Sequence, residues 1–247
     1  MAVTQVAPGV WRAGTRYVNW FVVDAGEGGL TIVDAGLPGY RDQLDSTLHE
    51  IGRSRADVRA VVLTHGHVDH VGMADVLARD GATVHLHEAD AELAADYRRN
   101  KTQRSPARYL HLPGTWMFLA HCLAQQATKP RTMPASVPLV DGQTVPVPGA
   151  PRVVHTPGHT DGSVVLEFPE HGVVFVGDLL CTVSMGTGRM ASPRLQSRGS
   201  NRDSDQALAS LDRLGGVAAR VVLPGHGRPW RDGVEAAAAS ARRVGCY

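Results

Sequence analysis

Apolar residues in the first third of the chain recur with the period of strands. Val10-Trp11-Arg12 and Val18-Asn19-Trp20-Phe21-Val22-Val23 are β-rich, 26–29 make a glycine turn, and Leu30-Thr31-Ile32-Val33-Asp34 returns. This predicts a meander of short hairpins. The period then changes. Leu44, Leu48 and Ile51 share one face of a helix over about 40–51, which Gly52 ends. Val58-Arg59-Ala60-Val61-Val62-Leu63 reads as a buried strand, and Val71, Ala74, Leu77 and Ala78 recur at helical spacing until Gly81. A strand at 82–86 and a helix at 88–97 follow. The second half resumes strands at 137–140, 144–147 and 153–155, then a hairpin of 164–168 with 173–176. Residues 181–204, rich in Gly, Ser and Arg, read as a loop. After it come an amphipathic helix at 203–214 with Leu208, Leu211 and Leu214 on its buried side, a strand at 219–223 and an alanine-rich helix over about 233–244. Two strand-rich halves, each closed by helices, predict an α/β (α+β) class.

One segment breaks the pattern. Over 98–136 a basic run of Arg98, Arg99, Lys101, Arg104 and Arg108 precedes Leu110, Leu112, Trp116, Met117, Phe118, Leu119, Cys122 and Leu123, partly at helical spacing. The basic run reads as a solvated face or as a contact for a phosphate-bearing substrate.

The chemistry concentrates between the strand ending at Leu63 and the helix beginning near Val71. Thr64-His65-Gly66-His67-Val68-Asp69-His70 places three imidazoles and a carboxylate on one strand-to-helix loop. Such loops, held by a strand behind and a helix in front, carry much of enzyme chemistry. Imidazole and carboxylate suit zinc, iron and manganese. In an extended segment His65, His67 and Asp69 would share a side while His70 points elsewhere, which suggests two metals. His85 and His87, also two apart, have no carboxylate cluster in register and read as ordinary surface or core histidines.

His65-Gly66-His67-Val68-Asp69-His70 resembles the HxHxDH signature of the metallo-β-lactamase fold superfamily. Thr156-Pro157-Gly158-His159-Thr160, Val176-Gly177-Asp178 and Leu223-Pro224-Gly225-His226-Gly227 resemble its later motifs, in order and across nearly the whole chain. The resemblance implies a four-layered αββα sandwich over 1–247 with the site at one edge. It also implies that His65, His67 and His159 bind one metal, that Asp69, His70 and His226 bind the other, and that Asp178 bridges them. Zinc is the first expectation, with iron or manganese accepting the same donors. Asp34 would lie behind the site and orient a histidine, the alternative being a turn aspartate that caps its own backbone. Cys181, close after Asp178, reads as packing or support rather than as a ligand. The 98–136 insertion would form a lid, with Trp116, Met117 and Phe118 lining an apolar pocket or else packing the insertion's own core or a dimer contact.

Composition narrows the field. The chain has 247 residues, 43% of them hydrophobic, and a net charge of +1, so nothing in it calls for nucleic acid. Cys122, Cys181 and Cys246 are too few and too scattered for a disulfide framework. Neither a signal peptide nor a membrane-length apolar run is visible, so a cytoplasmic protein is expected.

The resemblance therefore implies a dinuclear hydrolase in which a metal-bridging hydroxide attacks an ester, thioester, lactone or lactam carbonyl and Asp69 carries the proton. The expected partner is a small molecule with an apolar acyl or aromatic part, with no nucleic acid and no membrane. A glutathione thioester fits poorly, because the glyoxalase II-like C-terminal helical region is not seen. A lactone is weakened, because no tyrosine stands at Cys181. An iron-dependent oxidoreductase of the persulfide dioxygenase kind is the alternative, and a nuclease a weaker one.

Overall fold

The computed structural model describes residues 3–129, 132–184 and 186–246. Pro130 and Arg131, inside the expected insertion, and Met185, inside the expected 181–204 loop, lie outside the described residues.

Thirteen strands, among the described residues, form three sheets. The first has seven strands in chain order: β1 (Thr4–Ala7), β2 (Val10–Gly14), β3 (Asn19–Asp24), β4 (Leu30–Val33), β5 (Val58–Val62), β6 (Thr83–Leu86) and β7 (Ser136–Pro138). Pairing is antiparallel from β1 to β4 and parallel from β4 to β7. The second sheet is built from β8 (Arg152–His155), β9 (Val164–Phe168), β10 (Val173–Gly177) and β13 (Val221–Pro224), in the order β13-β10-β9-β8. β11 (Cys181–Ser184) and β12 (Arg189–Arg194) pair as a separate hairpin.

Alternation along each strand sorts side chains into layers. On β3, Phe21 and Val23 turn inward with Val33 and Val62 against Leu166, Phe168, Phe175 and Leu223 of the second sheet. Phe175 meets Phe21 and Phe168 edge-on, with centroids 5.0 and 5.2 Å apart, each pair adding about 1 kcal/mol beyond its buried area. The alternate residues Trp20, Val22, Ile32 and Val61 face the other way, against Leu44 and Leu48 of α1 (Arg41–Glu50) and the Met73–Leu77 region. The outer face of the second sheet is covered by α6 (Ser204–Ser210) and α7 (Gly233–Val244) through Ala207, Ala237 and Ala241. The result is an α/β sandwich in the order helix, sheet, sheet, helix.

Several local expectations change, among them the strand expected at 144–147, which makes only an isolated bridge from Thr144 to Arg152, and the helix expected at 88–97, which is regular only over Ala91–Ala95. The helix expected after His70 is two pieces, α2 (Val68–Val71) and α3 (Ala74–Arg79). The break lets the backbone of Gly72 and Met73 donate to Gly36 and Ala35, while His70 accepts from Ala35. A Cβ on Gly72 would come within 2.3 Å of the Leu37 carbonyl carbon, so only glycine admits this approach. The 181–204 loop contains the β11–β12 hairpin, because two short polar strands satisfy their backbones by pairing with each other. Leu208 is 37% exposed, and Ala207, Leu211 and Leu214 form the buried side of that region instead. The 98–136 segment holds α5 (Pro113–Ala124) and rejoins the first sheet as β7, parallel to β6. α4 (Ala91–Ala95) lies between β6 and the segment.

The C-terminal ends of β4, β5, β10 and β13 lead to Asp34, the 64–70 loop, Asp178 and His226, and the β8–β9 connection carries His159. No helix of the described residues is long and apolar enough to cross a membrane.

Candidate metal centre

The side chains at these strand ends converge. His65 Nε2 and His159 Nε2 stand 3.1 and 2.9 Å from His67 Nδ1. Three imidazole nitrogens facing one another is the arrangement of a cation cradle. A second group joins Asp69, His70 and His226, with Asp69 Oδ2 at 3.8 Å from His70 Nε2 and 3.5 Å from His226 Nε2. Asp178 lies between the groups. Its Oδ2 is 3.4 Å from His159 Nε2 and 3.0 Å from His226 Nε2, and its Oδ1 is 3.4 Å from His70 Nε2.

The outer nitrogens show which atoms are free to bind. His70 Nδ1 donates to Asp34 Oδ2 at 2.8 Å, and His159 Nδ1 to Asn201 Oδ1 at 3.0 Å. His226 Nδ1 donates to the Tyr17 carbonyl. Thr64 Oγ1 gives its proton to Asp34, so it accepts from His65 Nδ1 at 3.1 Å. With the outer nitrogen protonated, each of these rings turns a lone pair inward, as a ligating imidazole must. His67 differs, since its Nδ1 faces the group and its Nε2 has no partner among the described residues. His70 Nε2 and Asp178 Oδ1 are likewise buried without a hydrogen-bond partner. A Cβ on Gly225 would lie 2.5 Å from both Asp178 Oδ1 and His70 Cε1, so glycine keeps this space clear. Buried, inward-facing and unpaired N and O donors fit divalent cations of the zinc, iron and manganese class.

Asp34 is 1% exposed and holds a left-handed φ of 57°. It accepts from Thr64 N at 2.8 Å as well as from His70. It therefore serves the loop backbone and a histidine together, and does not cap its own turn.

Charge within the site is divided unevenly. Burial, then the neighbouring His70, His159 and His67, hold His65 well below the ordinary imidazole range. Burial also pushes His159 down to about 4, against the pull of Asp178. Burial opposes charge on His226 too, yet Asp178 and Asp69 lift it to about 9. His70 is raised against burial by Asp34, Asp178 and Asp69. Asp178 is held well below the carboxylate range, against burial, by His226 and His70. At neutral pH the metal-free site therefore balances its carboxylates with protons on His226 and His70. Metal uptake must expel such protons. Below pH of about 9 a proton on His226 competes with the cation, so affinity is expected to weaken by roughly tenfold per pH unit for each proton displaced. Calorimetric metal titration at pH 7 in two buffers of different ionisation enthalpy measures this release, and no release would contradict the charge balance.

A cavity of about 300 Å³ opens onto His67, Asp69, His159, Asp178 and His226. Of the pocket residues expected from sequence, Phe118 lines it, and its ring meets His226 edge-on at 5.7 Å. Trp116 and Met117, expected beside it, do not line it. They are 57% and 42% exposed, and the Trp116 indole donates to the Leu110 carbonyl. Helical spacing gives the reason, since Thr115, Phe118 and Leu119 share the face of α5 turned to the cavity, with Leu112 joining them from just before the helix. His85 is buried beside Thr83, and His87 stacks on His155 at 4.3 Å, both outside the cluster. Cys181 is fully buried, its thiol directed at the Val183 and Arg194 carbonyls.

Four supporting residues escaped sequence reading. Thr64 and Asn201 orient His65 and His159. Gln196 Nε2 donates to Asp178 Oδ2 at 3.1 Å. Asp90 is 1% exposed and accepts from Gly66 N, Gly162 N and Thr160 Oγ1, which ties the 64–70 loop to the loop bearing His159. Only Thr64 carried a local signal, by adjoining the histidine loop.

The family model described as the metallo-beta-lactamase superfamily matches residues 13–226. The probable metallo-hydrolase YflN of Bacillus subtilis is 26% identical over 206 residues, covering 80% of this chain and 75% of YflN. The metallo-beta-lactamase family protein TTHA1429 of Thermus thermophilus superposes with a TM-score of 0.68 at 30% identity, covering 97% of this chain and 79% of that one. TTHA1623 in a di-iron-bound form superposes with a TM-score of 0.62 at 28% identity, covering 93% and 96%. With its sandwich, its convergent histidines and aspartates and a family match across most of its length, the chain belongs to the metallo-beta-lactamase superfamily, an enzyme family of metallo-hydrolases.

Proposed function

We propose that the chain is a dinuclear metal-dependent hydrolase of ester, thioester, lactone or lactam carbonyls. The observation that carries this reading is Asp178, whose two oxygens stand within 3.4 Å of histidine nitrogens from both donor groups. His65, His67 and His159 would hold one cation, and Asp69, His70 and His226 the other. Zinc is our first assignment, with iron or manganese suited to the same donors. When bound, such a pair supplies a hydroxide nucleophile at neutral pH and Lewis-acid polarisation of the carbonyl oxygen.

The chain's own residues do the rest. Asp69 is 7% exposed and lines the cavity, where its carboxylate accepts the nucleophile's proton and passes it to the leaving group. Phe118, Leu112 and Leu119 seat an apolar acyl or aromatic part and exclude water. The substrate in this reading is a small molecule. The free thiols Cys122, Cys181 and Cys246 support a reducing, cytoplasmic setting.

The test is elemental analysis of protein purified without added metal, together with hydrolysis of a small ester, thioester and lactone panel. Two equivalents of metal, with turnover lost in Asp69→Ala, are expected. A second reading, an iron-dependent oxidoreductase, is favoured by the di-iron form of TTHA1623. Iron with oxygen uptake and no hydrolysis would overturn the hydrolase reading in its favour.

A further inference from the structure

The donor group of His65, His67 and His159 has a carboxylate of its own behind it. Asp90 stands just before α4 and is 1% exposed. Its Oδ2 accepts from Gly66 N at 2.8 Å and from Thr160 Oγ1 at 2.6 Å, and its Oδ1 accepts from Gly162 N at 2.8 Å. Gly66 lies between His65 and His67, Thr160 directly follows His159, and Gly162 comes soon after. One carboxylate therefore grips both segments that carry the three histidines.

The fit is close. A Cβ on Gly66 would come 2.8 Å from the Asp90 carbonyl oxygen, and one on Gly162 would come 2.7 Å from Asp90 Cγ, so both segments lay bare backbone against this residue. Among the described residues, the side-chain partners of Asp90 are these three neutral donors and no cation. Burying a carboxylate without a counter-charge is costly. What the charge returns is hydrogen bonds roughly twice as strong as neutral ones. The other donor group has different supports. Asp69 and His70 sit on α2, His70 donates to Asp34, and His226 donates to the Tyr17 carbonyl.

We infer that Asp90 is a positioning residue for one half of the metal centre, holding His65 and His67 in register with His159 and so setting the affinity of that group for a divalent cation, while the Asp69, His70 and His226 group does not depend on it. The inference rests on the reading of two donor groups that hold two cations. His65 and His159 face His67 Nδ1 at 3.1 and 2.9 Å from two segments far apart in sequence. Such a ligand set binds tightly only while its segments are held together beforehand. Once they drift, binding must first bring them back, and affinity falls.

Zinc titrated calorimetrically into metal-free protein tests this without turnover. Asp90→Asn keeps the shape but replaces one carboxylate oxygen with an N–H2 group, which turns a donor toward the Gly66 or the Gly162 amide. Two backgrounds isolate the groups, since His226→Ala disables the second and His67→Ala the first. In His226→Ala, adding Asp90→Asn is expected to weaken zinc binding by roughly 10- to 100-fold, the range for residues that support metal ligands. In His67→Ala the same change is expected to alter zinc affinity by less than about twofold, the scatter between independent sites. A purely structural role would weaken both alike. Equal losses, an unchanged affinity in His226→Ala, or a larger loss in His67→Ala therefore overturns the inference. Thermal unfolding of the metal-free forms checks that each is folded. Thr160→Val replaces Asp90→Asn if the latter is not folded. It removes one of the three hydrogen bonds and is expected to cost at least about threefold in His226→Ala and less than about twofold in His67→Ala. Failure of both variants to fold overturns the inference and assigns Asp90 to folding alone. A His226→Ala protein that binds no zinc overturns it too. Wild-type protein that takes up a single equivalent, retained in His226→Ala, would sink the two-cation reading and leave this inference to be decided by the His226→Ala comparison.

Discussion

Asp178→Ala is expected to leave a folded protein that no longer retains two metal ions. Among the described residues, Asp178 is the one carboxylate in contact with nitrogens of both donor groups, through His70, His159 and His226. In the proposed dinuclear reading, removing it would cost both cations a ligand and leave their mutual repulsion unscreened. Changing an outer partner of a metal ligand typically costs roughly 10–100-fold in affinity, so loss of a shared ligand exceeds that range. Folding is less affected, because Asp178 itself strains the metal-free site. It is buried, and its compensation depends on holding protons on His226 and His70 against their own burial. Elemental analysis beside thermal unfolding of the metal-free protein checks both halves. Two retained equivalents would refute the bridging role.

Asp34→Ala is expected to act in the opposite way, mainly on folding. The carboxylate accepts from Thr64 N, Thr64 Oγ1 and His70 Nδ1 in a site that is 1% exposed. Alanine would leave these donors without a partner and take from His70 the charge that raises its pKa. Breaking a buried, charge-assisted pair from one side costs about 3–5 kcal/mol. Alanine must also occupy the left-handed φ of 57°, which adds about 1 kcal/mol. Asp34→Asn is expected to be milder, because asparagine tolerates that φ and keeps an acceptor oxygen. Denaturant unfolding of the metal-free forms measures the difference. A loss under about 1 kcal/mol for Asp34→Ala would show that Thr64 and His70 find other partners.

The two substitutions separate roles that adjoin in space. In the proposed reading, Asp178 would carry charge for the cations. Asp34 carries structure, joining the end of β4 to the loop after β5 and fixing the tautomer of His70.

Much of this was legible in the chain itself. The apolar run Trp20-Phe21-Val22-Val23 marks a strand, and a run of β-formers is a local property that needs no partner to be read. The loop 64–70 is equally local, since its donors lie within a few residues of one another on one strand-to-helix connection. His159, Asp178 and His226 each follow an apolar run, so their places at strand ends could be read one by one. The sequence alone thus determined the kinds of elements, the donor types and the superfamily resemblance.

Only the tertiary structure decided how the donors are oriented and which side chains form the pocket. Asn201 and Gln196 lie in a polar stretch with no period, and their roles exist only because folding sets them against His159 and Asp178. Asp90 joins loops far apart in sequence through hydrogen bonds that no spacing announces. Trp116 and Met117 look as apolar as Phe118, and only the way α5 faces the cavity sends them outward. Periodicity reports which face of an element is apolar, whereas hydrogen bonds and cavities depend on distances between elements, which the fold supplies.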